Sequence, residues 1–177
     1  MKDIFKYGLI LGFICFLASA VLSAVNAVTA PKIQMQQEKE EQDALKSLIP
    51  NASEFRPYTK ADKLEYYAAY ENGRLCGFVI KGKARGYSSD IEALAALDLK
   101  LEITDVRILS ANETPGLGSR VKDNSFLGQF KNKSLQSLDK IQAITGATIS
   151  SRAVIKAVES KLSEVTADLN GAMKNAR

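Results

Sequence analysis

Residues 8–28 read GLILGFICFLASAVLSAVNAV without a single charged side chain, and no other stretch restricts the chain's possible folds as much. At 1.5 Å per helical residue the run reaches across a hydrocarbon core of about 30 Å. It is read as a transmembrane helix. Lys2 and Lys6 precede it, whereas the first charge after it is Lys32, soon followed by Glu38, Glu40 and Glu41. The positive-inside rule then makes residues 1–7 a short cytoplasmic end and exports everything after Val28. Small residues at Val25-Asn26-Ala27 and Val28-Thr29-Ala30 keep a cleaved secretory signal open as well, which exports the rest equally.

The 177 residues leave room for one domain of ordinary size beside that segment. There is no histidine, which removes Ser-His-Asp and Cys-His catalysis, His-ligated zinc and His proton shuttles together. Cys15 and Cys76 are far apart, and Cys15 lies in the apolar run, so neither a disulfide framework nor a CxxC site is expected. No metal site is expected either, and redox chemistry would need a bound cofactor. The net charge of +4 is spread along the chain without interleaved aromatics, a poor match to a nucleic-acid surface.

After the span, which Pro31 is read as ending, residues 29–63 form a stalk or lead-in helix and a linker. Leu45, Leu48 and Ile49 recur there at helical spacing, and Pro50 and Pro57 punctuate it. The folded domain is placed at 64–177. Two apolar runs, at 66–70 and 75–80, flank Glu71-Asn72-Gly73-Arg74, a hairpin signal. Strands are expected again from Ile91 and from Ile103. Between the second and third strands, the stretch 82–89 reads as a turn, or as a place where Lys83 and Arg85 meet an anion or a partner. Phe126, Leu127 and Phe130 suit a short helix, and apolar positions from Ala153 to Leu169 recur as in a long one starting at Ser150 or Ser151. Strands followed by helices make the class α+β, with an antiparallel sheet and packed helices.

Two loops carry candidate chemistry. In Glu113-Thr114-Pro115-Gly116-Leu117-Gly118 the Pro-Gly pair suits a type II turn. Gly118 allows close backbone approach there, so that a flat ligand has room to lie against the loop. Thr145-Gly146-Ala147-Thr148-Ile149-Ser150-Ser151 opens the terminal helix. A helix N-terminus offers unpaired N–H groups and the positive end of the macrodipole, both suited to a phosphate. The lysine of a Walker A loop is missing, so ATP hydrolysis is not expected. An N-cap by Thr148, Ser150 or Ser151 is the alternative. The same geometry serves cap and phosphate.

The Thr-Gly-Ala-Thr stretch resembles the [Ser/Thr]-Gly-Ala-Thr motif of domains that carry FMN covalently, and residues 113–118 look like the companion loop of that family. Both motifs after one N-terminal span are similar to the RnfG subunit of the Rnf electron transport complex and, more distantly, to the NqrC subunit of the sodium-translocating NADH:quinone oxidoreductase. Many members have Asp where this chain has Gln142, and often His where it has Asn112. The resemblance implies a phosphoester from FMN to Thr148, installed by a flavin transferase. Thr145, Gly146, Ala147 and Ser150 are then its motif neighbours, and Glu113, Thr114, Pro115, Gly116, Leu117 and Gly118 the loop near the flavin ring. No residue of the chain itself is expected to be catalytic.

What it further implies is a single-pass flavoprotein subunit in the cell (inner) membrane, its FMN-binding domain on the extracytoplasmic side. Working with other membrane and iron–sulfur subunits of an ion-translocating oxidoreductase, it would pass electrons between partners linking ferredoxin and NAD. Competing readings are a membrane-anchored flavin-bearing regulatory or sensory domain, for which residues 1–7 leave no output module, and a noncatalytic lipid- or peptide-binding module without flavin.

Overall fold

Alternation along the central strands decides the architecture, because successive side chains of a strand leave on opposite faces. The described residues of this computed structural model are 2–61 and 63–175. Met1 of the expected cytoplasmic end, Asp62 of the linker, and Ala176 and Arg177 of the expected domain lie outside them. The elements are α1 (Lys2–Leu48), β1 (Glu54–Lys60), β2 (Lys63–Glu71), β3 (Arg74–Arg85), β4 (Asp90–Leu97), β5 (Ile103–Ala111), α2 (Asn124–Leu127) and α3 (Thr148–Asn175), with 3₁₀ turns at Gly118–Lys122, Gly128–Phe130 and Leu135–Lys140. The chain divides into two compact units between Glu40 and Glu41.

The first unit is α1 up to Glu40. Its large apolar side chains are exposed along the whole run, the pattern of a helix solvated by lipid. Pro31 does not end the helix; it lies inside α1. Proline removes one N–H and crowds the carbonyl four residues back. That weakens one turn, while the helix-favouring residues after it carry the helix onward.

In the second unit the five strands form an antiparallel meander in the order β1-β2-β3-β4-β5. The β2–β3 connection is the expected hairpin: Asn72 and Gly73 have φ of 50° and 79°, and two positive φ values make the type I′ turn that matches strand twist. Phe78 and Ile80 of β3 and Ala93, Ala95 and Leu97 of β4 face one core, shared with Val154, Val158, Leu162, Val165 and Leu169 of α3. Val79 of β3 and Leu94 and Ala96 of β4 face the other way, onto Ala44, Leu45 and Leu48 at the end of α1. The sheet is thus covered on both faces.

This moves the start of the folded unit upstream of the expected Leu64. β1 pairs with β2 along its length, from Glu54 opposite Tyr70 to Lys60 opposite Lys63, and the last turns of the expected stalk are its second cover. Glu41 reinforces that cover: its carboxylate accepts from Tyr67 Oη at 2.8 Å and Lys81 Nζ at 2.6 Å. Burial first, then Glu41, push the Tyr67 phenol well above its usual value. On the α3 face, Lys161 Nζ lies 2.5 Å from Glu65 Oε2 with both side chains buried.

Candidate functional site

Helix α3 begins at Thr148, two to three residues before the expected start. Its N-terminus follows a tight turn in which Ala147 N donates to Ile144 O at 2.9 Å and Gly146 has φ of 82°. That φ is open to glycine and strained for other residues, and here it supplies the third position of a type II turn. Ala147 O accepts from Ser151 N at 2.9 Å, the first bond of the helix. The cap position therefore belongs to Ala147, which has no capping oxygen.

The hydroxyls expected as caps do other work. Ser151 Oγ accepts from Ile144 N at 3.1 Å and donates to Ala147 O at 2.9 Å, bracing the turn from inside. Ser150 Oγ donates to Glu113 Oε2 at 2.6 Å. Ser150 and Ser151 are buried. Thr148 is exposed, and its hydroxyl makes no hydrogen bond among the described residues. The amides of the first helical turn accordingly find no side-chain acceptor there, which leaves them for an anion.

The other loop leaves β5 at Ala111 and folds back through the expected type II turn. Thr114 O accepts from Leu117 N and from Ser119 N at 3.2 Å each, with Gly116 at φ of 75°. Glu113, just before it, is buried. Its Oε1 accepts from Ser88 N and Ser89 N, both at 3.1 Å, and its Oε2 from Tyr87 N at 3.2 Å and from Ser150 Oγ. Burial pushes this carboxyl up, but the Ser150 hydroxyl and the three amides outweigh it and hold the group below its usual value. Gly118 makes the junction possible: a Cβ there would lie 2.7 Å from Glu113 Cβ and 2.8 Å from Ser150 Oγ.

One carboxylate therefore ties together the β3–β4 turn, the loop after β5 and the start of α3. The result is a cleft of about 560 Å³, lined on one side by Glu113, Thr114, Leu117 and Gly118 and on the other by Gly146, Ala147, Thr148, Ile149 and Ser150. That volume falls within the roughly 300–1,000 Å³ of small-molecule sites. Thr145, Pro115 and Gly116 belong to the turns that shape the cleft and do not line it. Tyr87 and Ile149 line it without having been singled out as ligand contacts. Their signal in the sequence is faint: an aromatic between Gly86 and Ser88, and an apolar residue in the first turn of a helix.

Lys83 and Arg85 are not in the turn but on β3, where their anions are cross-strand neighbours. Lys83 Nζ lies 3.4 Å from Asp90 and 3.3 Å from Glu92, and Arg85 3.5 Å from Asp90. Of the two positions that depart from the family pattern, Gln142 donates its N–H to Gln129 Oε1 at 2.9 Å, and Asn112 donates its N–H to Ser89 Oγ at 3.0 Å.

The donor set suits a flavin phosphate: helix N–H groups without side-chain acceptors among the described residues, the exposed Thr148 hydroxyl beside them, and an adjoining cleft with apolar walls. Comparison with known proteins bears on the same region. The FMN-binding domain family matches residues 86–163, and the RnfG N-terminal region family matches residues 1–48. Over 166 residues the chain is 35% identical to the RnfG-type subunit of the proton-translocating ferredoxin:NAD(+) oxidoreductase complex of Clostridium ljungdahlii, covering 89% of each chain. It is 32% identical to the sodium-translocating counterpart of Acetobacterium woodii, again covering 89% of each. Its fold resembles the crystal structure of Shewanella oneidensis NqrC, with a TM-score of 0.52 at 21% identity, covering 70% of this chain and 74% of that one.

Proposed function

The chain belongs to the RnfG family of subunits of ion-translocating oxidoreductases, and we infer that it is the flavoprotein subunit of such a complex, passing electrons between partner subunits that link ferredoxin and NAD. FMN supplies the redox chemistry when bound, accepting and releasing electrons. The chain's own residues hold and orient it. The run 8–28 contains no Asp, Glu, Lys, Arg or His that could mark an ion path, so ion coupling belongs to the partner subunits.

We assign the attachment to Thr148. The observation that carries this is the difference among neighbouring hydroxyls: Ser150 and Ser151 are buried and engaged, and Thr145 does not line the cleft. Thr148 does line it, with its hydroxyl exposed at the helix start. In maturation Thr148 Oγ1 bonds to the phosphorus of FMN carried on an activated flavin nucleotide. The bond from that phosphorus to its leaving phosphate breaks, and the threonine proton departs with the leaving group or to solvent. A flavin transferase is the catalyst this step calls for. The N–H groups at the start of α3 would hold the phosphodiester charge.

Residues 1–7 are assigned to the cytoplasm and the flavin-bearing unit to the extracytoplasmic side of the inner membrane, on the lysines preceding the span. On that side a dissociated cofactor is lost by dilution, and a covalent tether prevents the loss.

Co-expression of the full chain with a flavin transferase, followed by a denaturing gel under ultraviolet light, tests the assignment. Fluorescence should migrate with the wild-type chain and vanish in Thr148→Val, and peptide mass spectrometry should place the adduct on Thr148. A dark wild-type band, with the transferase active on a control substrate, would sink it.

A further inference from the structure

Among the described residues of the folded unit, five large apolar or aromatic side chains are exposed: Tyr58, Tyr87, Leu99, Leu117 and Ile149. Three of them, Tyr87 at 68%, Leu117 at 51% and Ile149 at 56%, line the one cleft that also holds Thr148. Single exposed apolar residues are common on protein surfaces, but their concentration around a cleft marks a binding surface.

Tyr87 is the least expected of the three, and the best supported from behind. Its N–H donates to Glu113 Oε2 at 3.2 Å, and Gly86 N donates to Ser89 O at 2.8 Å to close the turn it sits on. Arg85 Nη2 donates to Ser88 O at 3.2 Å. Gly86 is packed so tightly that a Cβ there would come within 2.6 Å of Glu113 Oε1. An exposed ring on a backbone this well anchored is a preorganised contact, with little ordering entropy left to lose on binding.

Resting on the reading that Thr148 carries FMN, we propose that Tyr87 covers one face of the isoalloxazine ring, with Leu117 and Ile149 as the apolar walls of the same slot, and that Glu113 is the positioning residue that holds Tyr87 there. The occupant follows from continuity. Ile149 adjoins the attachment residue, Leu117 tops the companion loop, and a flat, largely apolar heterocycle is the part of FMN that such walls would take from water. Glu113 accepts from Ser150 of α3 and Tyr87 of the β3–β4 turn with the same oxygen, so the tyrosine is set in register with the helix that bears the phosphate.

A phenol in contact with a flavin has an optical signature. In the excited state one electron passes from the Tyr87 ring to the flavin and returns to it, with no net oxidation and no bond made or broken, and the emission is quenched. Tyr87→Phe keeps a stacking ring but removes this donor; Tyr87→Ala removes both. The readouts are time-resolved flavin emission and its quenching by iodide, on full-length chain in detergent with the adduct verified by mass.

The wild type should decay several-fold faster than Tyr87→Phe. Iodide should reach the flavin equally in those two and more readily in Tyr87→Ala, while Tyr58→Phe, altered away from the cleft, should behave as wild type. Glu113→Gln should lengthen the decay by loosening the turn. A loaded chain whose decay and iodide quenching are unchanged in both Tyr87 variants overturns this proposal alone, and points to a rim that meets a partner protein. A wild-type chain without adduct overturns the attachment reading and this proposal with it.

Discussion

Glu113 shows how one side chain can carry a site it does not catalyse in. A buried carboxylate is destabilising unless its oxygens are satisfied, and here four donors from two distant segments do so. Because its folded-state value lies below the ordinary 4.5, the ionised form contributes stability that is fully present above that pH. The contribution is lost as pH falls through the folded value. Glu113→Gln turns one acceptor into a donor facing N–H groups, and should cost roughly 2–3 kcal/mol at pH 7. In urea titrations of the full chain, the gap between wild type and variant should narrow from pH 7 to pH 3. An equal gap at both would show that the charge contributes nothing.

At the scale of elements, the docking of α3 on the sheet depends on the absence of a side chain. Gly82 of β3 sits beneath the helix, where a Cβ would lie 2.1 Å from Ala157 O and 2.6 Å from Ala157 C. Both are backbone atoms in mid-helix and cannot swing aside. Gly82→Ala must push α3 off β3, and overpacking of this kind costs about 1–3 kcal/mol or more. A melting temperature lowered by at least about 3 °C, by circular dichroism in detergent, is the expected result. An unchanged one would mean that the helix docks more loosely than its contacts require. Since α3 also presents Thr148, the same variant should accept FMN less completely.

The chain carries a helix long and apolar enough to cross a membrane and a unit whose sheet is covered on both faces. The expected orientation can be read with a membrane-impermeant maleimide in a background with Cys15 and Cys76 replaced by alanine. Leu99→Cys, at an exposed position of the folded unit, should label on intact spheroplasts. Phe5→Cys, exposed before the apolar run, should label only after permeabilisation. The opposite pattern would place the unit in the cytoplasm and remove the rationale for a covalent tether.

Features written over neighbouring residues were legible in the sequence: the long apolar helix, the Asn72-Gly73 hairpin, the Pro115-Gly116 turn and the amphipathic face of α3. Hydropathy, turn chemistry and helical period act locally, so the chain states them locally. Pro31 misled because a proline weakens one turn without specifying what its neighbours do. The β strand before Leu64 and the docking of Ala44, Leu45 and Leu48 on the sheet were not legible, since the segment's helical pattern is the same whether its apolar face is free or covered.

In the site, the motif loops and Thr148 stood out in the sequence, but what the hydroxyls around Thr148 do is a tertiary fact. Ser150 and Ser151 differ from Thr148 through burial and bonding, and Glu113 reaches Ser150 across 37 positions and Tyr87 across 26. The sequence alone determined that a hydroxyl-rich turn opens a helix downstream of a long uncharged apolar run. Only the folded chain decided which hydroxyls are left free and which of them lines the cleft, because burial and hydrogen-bond partnership are set by residues that meet in space and carry no common local pattern.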